Sequence, residues 1–240
     1  MGAALSCAKS SDASASDVVL HTASDQTPSQ DLSHAEAATN DAQMPTAASL
    51  NLCDKSIGDE GIKALADAIA GGSMNNVVSL YLRNNGIGDP GMVALSIAIG
   101  EGSMQQLETL DLSGNLICDR GLASFSEAIG KGSMRKPKEL NLRGNRIGDD
   151  GMQAFASAAA IGWLASLMYL NLRDNQIGDP GMAYLSDAIA GGSLVSLGTL
   201  WMHGNRGDLA PVWKQHARLV ESSCRCHLGF GLCVYCEYVK

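Results

Sequence analysis

The sequence lacks the features that mark membrane-spanning, nucleic-acid-binding or secreted disulfide-linked proteins. No stretch approaches the roughly 18 to 20 continuous apolar residues of a membrane-spanning helix. The 17 basic residues are outnumbered by 25 acidic ones, which argues against a nucleic-acid partner because phosphate binding needs a basic surface. The start has no basic residues leading into an apolar run of about 7–15 residues, so we expect no signal peptide. Seven irregularly spaced cysteines favour a reducing, cytoplasmic location.

Catalytic motifs are also absent. None of the five histidines has neighbours that suggest a nucleophile pair or a zinc-protease motif. The Gly-Asp-x-Gly segments lack the Lys and the Ser or Thr of a phosphate-binding loop. We therefore expect a protein that is not an enzyme and that holds no cofactor.

A thirty-residue repeat occupies most of the chain. The clearest copy reads Leu107-x-x-Leu110-x-Leu112-x-x-Asn115-x-Ile117-Cys118-Asp119-x-Gly121. Tandem copies of such a unit build an elongated stack in which each unit contacts its neighbours. The same point of the six copies is marked by Leu50, Leu80, Leu110, Leu140, Leu170 and Leu200.

Each copy is predicted to contain one strand and one helix. The Leu110-x-Leu112 pair alternates with the strand period, so both leucines point inward. The spacing of Met92, Leu95 and Ile99 is that of a buried helix face. Glycines such as Gly102 then end the helix.

Two polar positions recur beside these apolar ones. An amide carries both donors and an acceptor, so the asparagines are predicted to satisfy loop backbone groups from one coil to the next. The aspartates are predicted to cap the N-termini of the helices that they begin. The first copy has Lys55 in place of asparagine, as expected of a terminal coil. The asparagines are Asn85, Asn115, Asn145, Asn175 and Asn205, and the aspartates are Asp59, Asp89, Asp119, Asp149 and Asp179.

Over about residues 46–208, six units of 30 residues, this pattern resembles the leucine-rich repeat in its ribonuclease-inhibitor-like subtype. The resemblance implies an α/β fold, a right-handed solenoid (horseshoe) with parallel strands on the concave face and helices on the convex face. Two copies depart from the pattern. The fourth closes with Gly162-Trp163-Leu164 instead of Gly-Ser-Met, where we predict a local bulge, and the sixth decays after Asn205.

The segments on either side of the repeats have different compositions. Residues 1–45 are rich in Ala, Ser, Thr and Asp and are predicted to form a disordered tail, because they cannot bury enough apolar surface to offset the entropy of ordering. Residues 209–240 are predicted to form a C-terminal cap helix followed by a Cys-rich tail. That tail offers candidate zinc ligands, but its Cys-x-Cys spacing is unusual, and a cysteine-rich end of no defined fold, or an imperfect gene model, is the interpretation we favour. The candidate ligands are Cys224, Cys226, Cys233 and Cys236.

The first seven residues, Met1-Gly2-Ala3-Ala4-Leu5-Ser6-Cys7, fit the N-myristoylation pattern with Gly2 as the acceptor. A single myristoyl chain binds a membrane with a constant of only about 10⁴ M⁻¹, so stable attachment needs a second signal. The tail is acidic and supplies no polybasic patch, whereas palmitoylation of Cys7 would serve. These modifications would place the protein at the inner face of the plasma or ciliary membrane; the alternative is an accidental Met-Gly start.

The outward positions of the strands are the candidate partner-binding surface. Because adjacent strands lie about 4.8 Å apart, Arg143, Arg173 and His203 are predicted to form a basic ladder. Nearby aromatic side chains are of the kind enriched at interface hot spots. The full set of candidate residues is Tyr81, Arg83, Arg143, Tyr169, Arg173, Trp201 and His203.

Two interpretations of these arginines remain open. In the first, they bind an acidic segment of a partner protein. In the second, they pair with carboxylates across the sheet and only support the fold. The carboxylates in question are Asp54, Asp111, Glu139 and Asp174.

We predict that the protein is a monomeric, non-enzymatic scaffold that binds another protein through the concave face of its solenoid. The alternative is a regulator of a small GTPase, because Ran GTPase-activating proteins look like the same repeat subtype. That family usually has more repeats and a strongly acidic C-terminal tail, whereas this chain ends slightly basic.

Overall fold

The computed structural model describes residues 48–102, 104–131 and 137–223 of the chain. Strands and helices alternate throughout these residues. The strands are β1 (Ala48–Asn51), β2 (Val77–Tyr81), β3 (Thr109–Asp111), β4 (Glu139–Asn141), β5 (Tyr169–Asn171) and β6 (Thr199–Trp201). The helices are α1 (Gly58–Ala70), α2 (Asp89–Gly100), α3 (Asp119–Gly130), α4 (Asp149–Ala160), α5 (Asp179–Ala190) and α6 (Ala210–Ser223).

The strands form one open parallel sheet in chain order, from β1 to β6. The register follows the repeat, since Leu80 pairs with Leu110 and Leu110 with Leu140. Each helix contacts the helix of the next repeat. The predicted α/β leucine-rich-repeat solenoid is thereby confirmed. None of the helices in the described ranges is long and apolar enough to cross a membrane.

The core lies between the sheet and the row of helices. Leu110 and Leu112 are buried on the inner side of β3, and the helix face of Met92, Leu95 and Ile99 is fully buried against such leucines. The alternating strand period and the helical period therefore both turn their apolar residues toward one shared layer.

The turn after α4 follows the same course as its counterparts, so the predicted bulge in the fourth copy is wrong. Gly162 has a positive φ of 94°, and Gly102 at the same point of the second copy has 83°. Leu164 is fully buried at the position that Met104 occupies in that copy. Leucine and methionine have similar volumes, so the substitution needs no change in the backbone.

The predicted asparagine ladder is confirmed. Asn115 donates from Nδ2 to the carbonyl oxygens of Leu82 (3.0 Å) and Leu112 (2.9 Å). Its Oδ1 accepts from the backbone N–H groups of Asn85 (3.0 Å) and Ile87 (3.1 Å). One buried amide thus joins the loops of two consecutive coils. Equivalent bonds are made by Asn145, Asn175 and Asn205.

The prediction that each aspartate caps its own helix is wrong. The residue before α3 is Cys118, and its own side chain makes no capping hydrogen bond. Asp119 instead accepts at Oδ1 from the N–H groups of Gly148 (2.6 Å) and Gly151 (3.0 Å), at the start of α4 in the next repeat. Each carboxylate therefore caps the following helix, where the free N–H groups and the helix dipole favour a negative charge. The same bonds are made by Asp59, Asp89 and Asp149, and Asp179 accepts from the N–H of Asp208.

Candidate functional site

The outward face of the sheet, which is the concave face, carries the predicted partner-binding residues. Gly144 donates its N–H to the carbonyl of Arg173 (2.9 Å), and Asp174 donates to that of His203 (2.9 Å). The register of β4, β5 and β6 thus continues past the strand ends. Arg143, Arg173 and His203 consequently occupy equivalent positions on three neighbouring coils.

Two of the concave-face arginines form ion pairs. Nε of Arg143 lies 2.9 Å from Oδ2 of Asp174, and an Nη atom of Arg83 lies 3.9 Å from Oδ2 of Asp54. Exposed pairs of this kind contribute only about 0.2–1 kcal/mol of stability. For Arg83 and Arg143, the structure therefore agrees with the interpretation that the arginines pair with carboxylates of the same chain.

The other two predicted carboxylates are not paired with arginine in the described residues. Oδ1 of Asp111 accepts from the N–H of Ser113 (2.9 Å), which closes the turn at the end of β3. Glu139 at the start of β4 is exposed. The predicted cross-sheet pairing is thus limited to Asp54 and Asp174.

Arg173 is held differently from the other two arginines. Its guanidinium carbon lies 5.7 Å from the centre of the Trp201 ring, within cation–π range. In the described part of the chain it forms no salt bridge, and its buried Nε has no hydrogen-bond partner. A guanidinium presents donors in a planar fork that matches a carboxylate. Arg173 is thus a positioned cation without a counterion among the described residues.

Asparagines at the ends of β4 and β5 hold the backbone at two of these arginines. Oδ1 of Asn171 accepts from the N–H of Arg173 (3.1 Å), while its Nδ2 donates to the hydroxyl of Tyr169 (3.2 Å). Asn141 accepts in the same way from Arg143 (3.2 Å). The candidate set predicted from the sequence did not include these asparagines. The signal that was available is the repeated Asn-Leu-Arg in β4 and β5.

The last helix adds a residue that sequence reasoning placed only in the cap. The Trp213 ring of α6 lies 6.0 Å from that of His203 and 6.1 Å from that of His216. Burial lowers the pKa of His216, and a hydrogen bond with the backbone of Leu197 opposes this shift in part. The neutral form of His216 is therefore favoured, and its buried ring packs against the Trp213 ring. Its buried Nε2 has no hydrogen-bond partner among the described residues.

The structure separates the predicted binding set along the sheet. Tyr81 ends β2 and Arg83 follows it, three strand spacings or about 14 Å from β5, and Arg143 follows β4 between the two ends of the set. At the other end of the sheet, aromatic and basic side chains from β5, β6 and α6 come together, and we call them the C-terminal cluster. It consists of Tyr169, Arg173, Trp201, His203 and Trp213.

Several predicted sites lie outside the described residues. These are Gly2 and Cys7, the predicted disordered tail, and the candidate zinc ligands Cys224, Cys226, Cys233 and Cys236. Within the described ranges, no group of three or more His, Cys, Asp or Glu side chains is arranged to hold a metal ion.

Comparison with known families supports the repeat interpretation. One leucine-rich-repeat family model matches residues 73–96, 138–156 and 164–186, and a second matches residues 106–128. No curated protein sequence matched the chain. The ribonuclease-inhibitor-like subtype stays a prediction.

Proposed function

We propose that this chain, a leucine-rich-repeat protein, is a non-enzymatic scaffold that binds an acidic segment of a partner protein at its C-terminal cluster. Leucine-rich repeats generally serve as protein interaction modules. The observation that carries the finer proposal is the guanidinium of Arg173 beside Trp201, which forms no salt bridge within the described ranges. Regulation of a small GTPase stays a prediction.

The chemistry of the C-terminal cluster favours a carboxylate flanked by apolar atoms. A partner's Asp or Glu would accept from the fork of Arg173 without displacing an intramolecular carboxylate. Trp201 and Trp213 are partly exposed and would cover the apolar part of the partner's segment, as aromatic hot-spot residues do. The net charge of −8 repels acidic partners elsewhere on the surface, which confines their binding to this basic position.

Replacing Arg173 by Gln is expected to weaken acidic-peptide binding about tenfold, a loss of about 1.4 kcal/mol. The measurement is the affinity of the purified protein for an array of acidic peptides and their Asn/Gln counterparts. Arg120→Gln on α3 is the matched control, because it removes the same charge from an exposed side chain on the helix side. An equal loss in both variants would show that only net charge matters and would contradict a site at Arg173.

We further propose that the protein is cytoplasmic and is attached to the inner face of a membrane by myristate on Gly2, with palmitate on Cys7 as the second signal. Support comes from the sequence pattern and from the need for two signals. Expressed in eukaryotic cells, the protein is expected to carry one myristoyl group by intact mass and to enter the membrane fraction. Gly2→Ala is expected to abolish the myristoyl group and the association with the membrane fraction. An unmodified or acetylated N-terminus would rule the attachment out.

A further inference from the structure

An exposed apolar strip lies along one edge of the solenoid. Its side chains come from the turns after α4 and α5, and their exposed fractions are 65% for Ile161, 55% for Met168, 50% for Val195 and 36% for Trp163. We call these four residues the apolar edge. Because all strands are parallel, every helix-to-strand turn lies on this edge of the solenoid.

The repeat itself does not require apolar residues here. Where the fourth copy has Ile161, the second and third have Glu101 and Lys131. Where the fifth copy has Met168, the third and fourth have Glu108 and Lys138, which form an ion pair with a 2.6 Å contact. Apolar residues that the fold needs would recur at the same position in every copy. Those of the apolar edge do not, so their exposure points to a contact with something outside the solenoid.

The two turns that form the apolar edge carry no charged residues, because residues 151–172 and 188–205 contain no Asp, Glu, Lys or Arg. On the adjoining turn, Lys131 and Lys138 are paired with Glu127 and Glu108. A surface that binds anionic lipid or an acidic protein would present basic residues. The apolar edge therefore suits an electrically neutral, apolar surface.

The direction of the chain also bears on what the apolar edge contacts. Ala48 begins β1, so the N-terminal segment enters the solenoid at this same edge. The distance along the edge from β1 to β4 and β5 is three to four strand spacings, or about 14–19 Å. The N-terminal segment is thus joined to the solenoid on the same edge that carries the apolar side chains.

We infer that the apolar edge inserts into the headgroup region of a neutral membrane. Exposed apolar side chains with a tryptophan among them are typical of interfacial contacts, since the indole has an apolar body and a polar N–H. Four side chains fall short of the roughly 800 Å² per partner that a stable dimer buries. The inference rests on the proposed membrane attachment in one respect, which is that the N-terminal segment joins the solenoid on the same edge.

Fluorescence quenching by brominated phosphatidylcholine tests this inference on the full chain. An N-terminal hexahistidine tag holds the protein on vesicles that contain nickel-chelating lipid, so acylation is not required. We expect quenching in the unsubstituted protein and its loss in Trp163→Phe, which retains Trp201 and Trp213. We also expect its loss in the double variant Ile161→Ser, Met168→Ser. The matched control is Ile97→Ser, a 60% exposed isoleucine on α2, and it should quench normally.

Three outcomes would overturn the inference. Quenching that survives in Trp163→Phe would mean that another surface meets the lipid. Quenching confined to vesicles rich in phosphatidylserine would mean that the contact is electrostatic. Concentration-dependent dimerisation without vesicles that is abolished by the double variant would mean that a second copy covers the apolar edge. The tag replaces the acyl groups in this experiment. A negative result would therefore contradict insertion of the apolar edge but would not bear on the proposed acylation or on the C-terminal cluster, which have separate tests.

Discussion

Asn115→Ala is expected to lower the free energy of unfolding by about 3–5 kcal/mol. The variant leaves the N–H groups of Asn85 and Ile87 and the carbonyl of Leu82 without their amide partner, whereas the carbonyl of Leu112 still accepts from Asn145. Leaving one buried polar group unsatisfied costs about 1–3 kcal/mol, and these three costs are not additive because the loop relaxes. The effect extends across an interface between coils, on which the stability of a repeat protein depends.

Urea denaturation followed by circular dichroism measures this loss. Asn76→Ala is the matched control, because Asn76 is exposed in the turn after α1, and it is expected to change stability by less than about 0.5 kcal/mol. Asn205→Ala is expected to cost less than Asn115→Ala, since Asn205 is only partly buried in the last repeat. Equal costs for Asn115 and Asn76 would contradict the role assigned to the ladder.

Gly151→Ala is expected to destabilise the protein by about 2–3 kcal/mol, although alanine normally stabilises a helix relative to glycine by about 1 kcal/mol. The sign is reversed by the neighbouring coil. A methyl group at Gly151 would lie 2.7 Å from Oδ1 of Asp119 and 3.1 Å from its Cα, where the capping carboxylate now sits. Gly100→Ala is the control, because its methyl group would make an ordinary 3.7 Å contact with the Cβ of Ala128.

A double-mutant cycle separates this clash from other effects. Asp119→Ala alone is expected to cost about 1–2 kcal/mol through loss of the cap on α4. In that background Gly151→Ala should cost less than in the natural protein, because the carboxylate is gone. Strictly additive costs would contradict the contact between Asp119 and Gly151 as the cause.

The strand, the helix and the asparagine ladder were all predictable from the repeat. Each depends on a period within one copy or on the exact recurrence of one residue every thirty, and the packing of Leu110 or the amide of Asn115 follows from that recurrence. The exposed concave-face positions were predictable for the same reason. The contacts of each side chain were not predictable. Arg143 and Arg173 follow the same Asn-Leu pair in the sequence, but Arg143 lies beside Asp174 and Arg173 beside Trp201 in the structure.

At positions that depart from the repeat, the local sequence did not predict the backbone path or the side-chain contacts. Leu164 and Trp163 break the sequence pattern of the fourth turn, yet the backbone is unchanged because a buried leucine replaces a buried methionine. Trp213 lies in a helix after the last repeat, and only the packing of α6 against the end of the stack brings it beside His203.

The order of the strands, their register and the inward leucines follow from the thirty-residue period alone, since identical units that stack must align like with like. The tertiary structure decided which helix each aspartate caps, and it placed Arg173 beside Trp201 with no carboxylate partner in the part of the chain that is described. Both outcomes depend on the spacing and angle between coils. Asp119 is the first residue of α3 by sequence, but the nearest free N–H groups within reach of its carboxylate belong to α4, about thirty residues away.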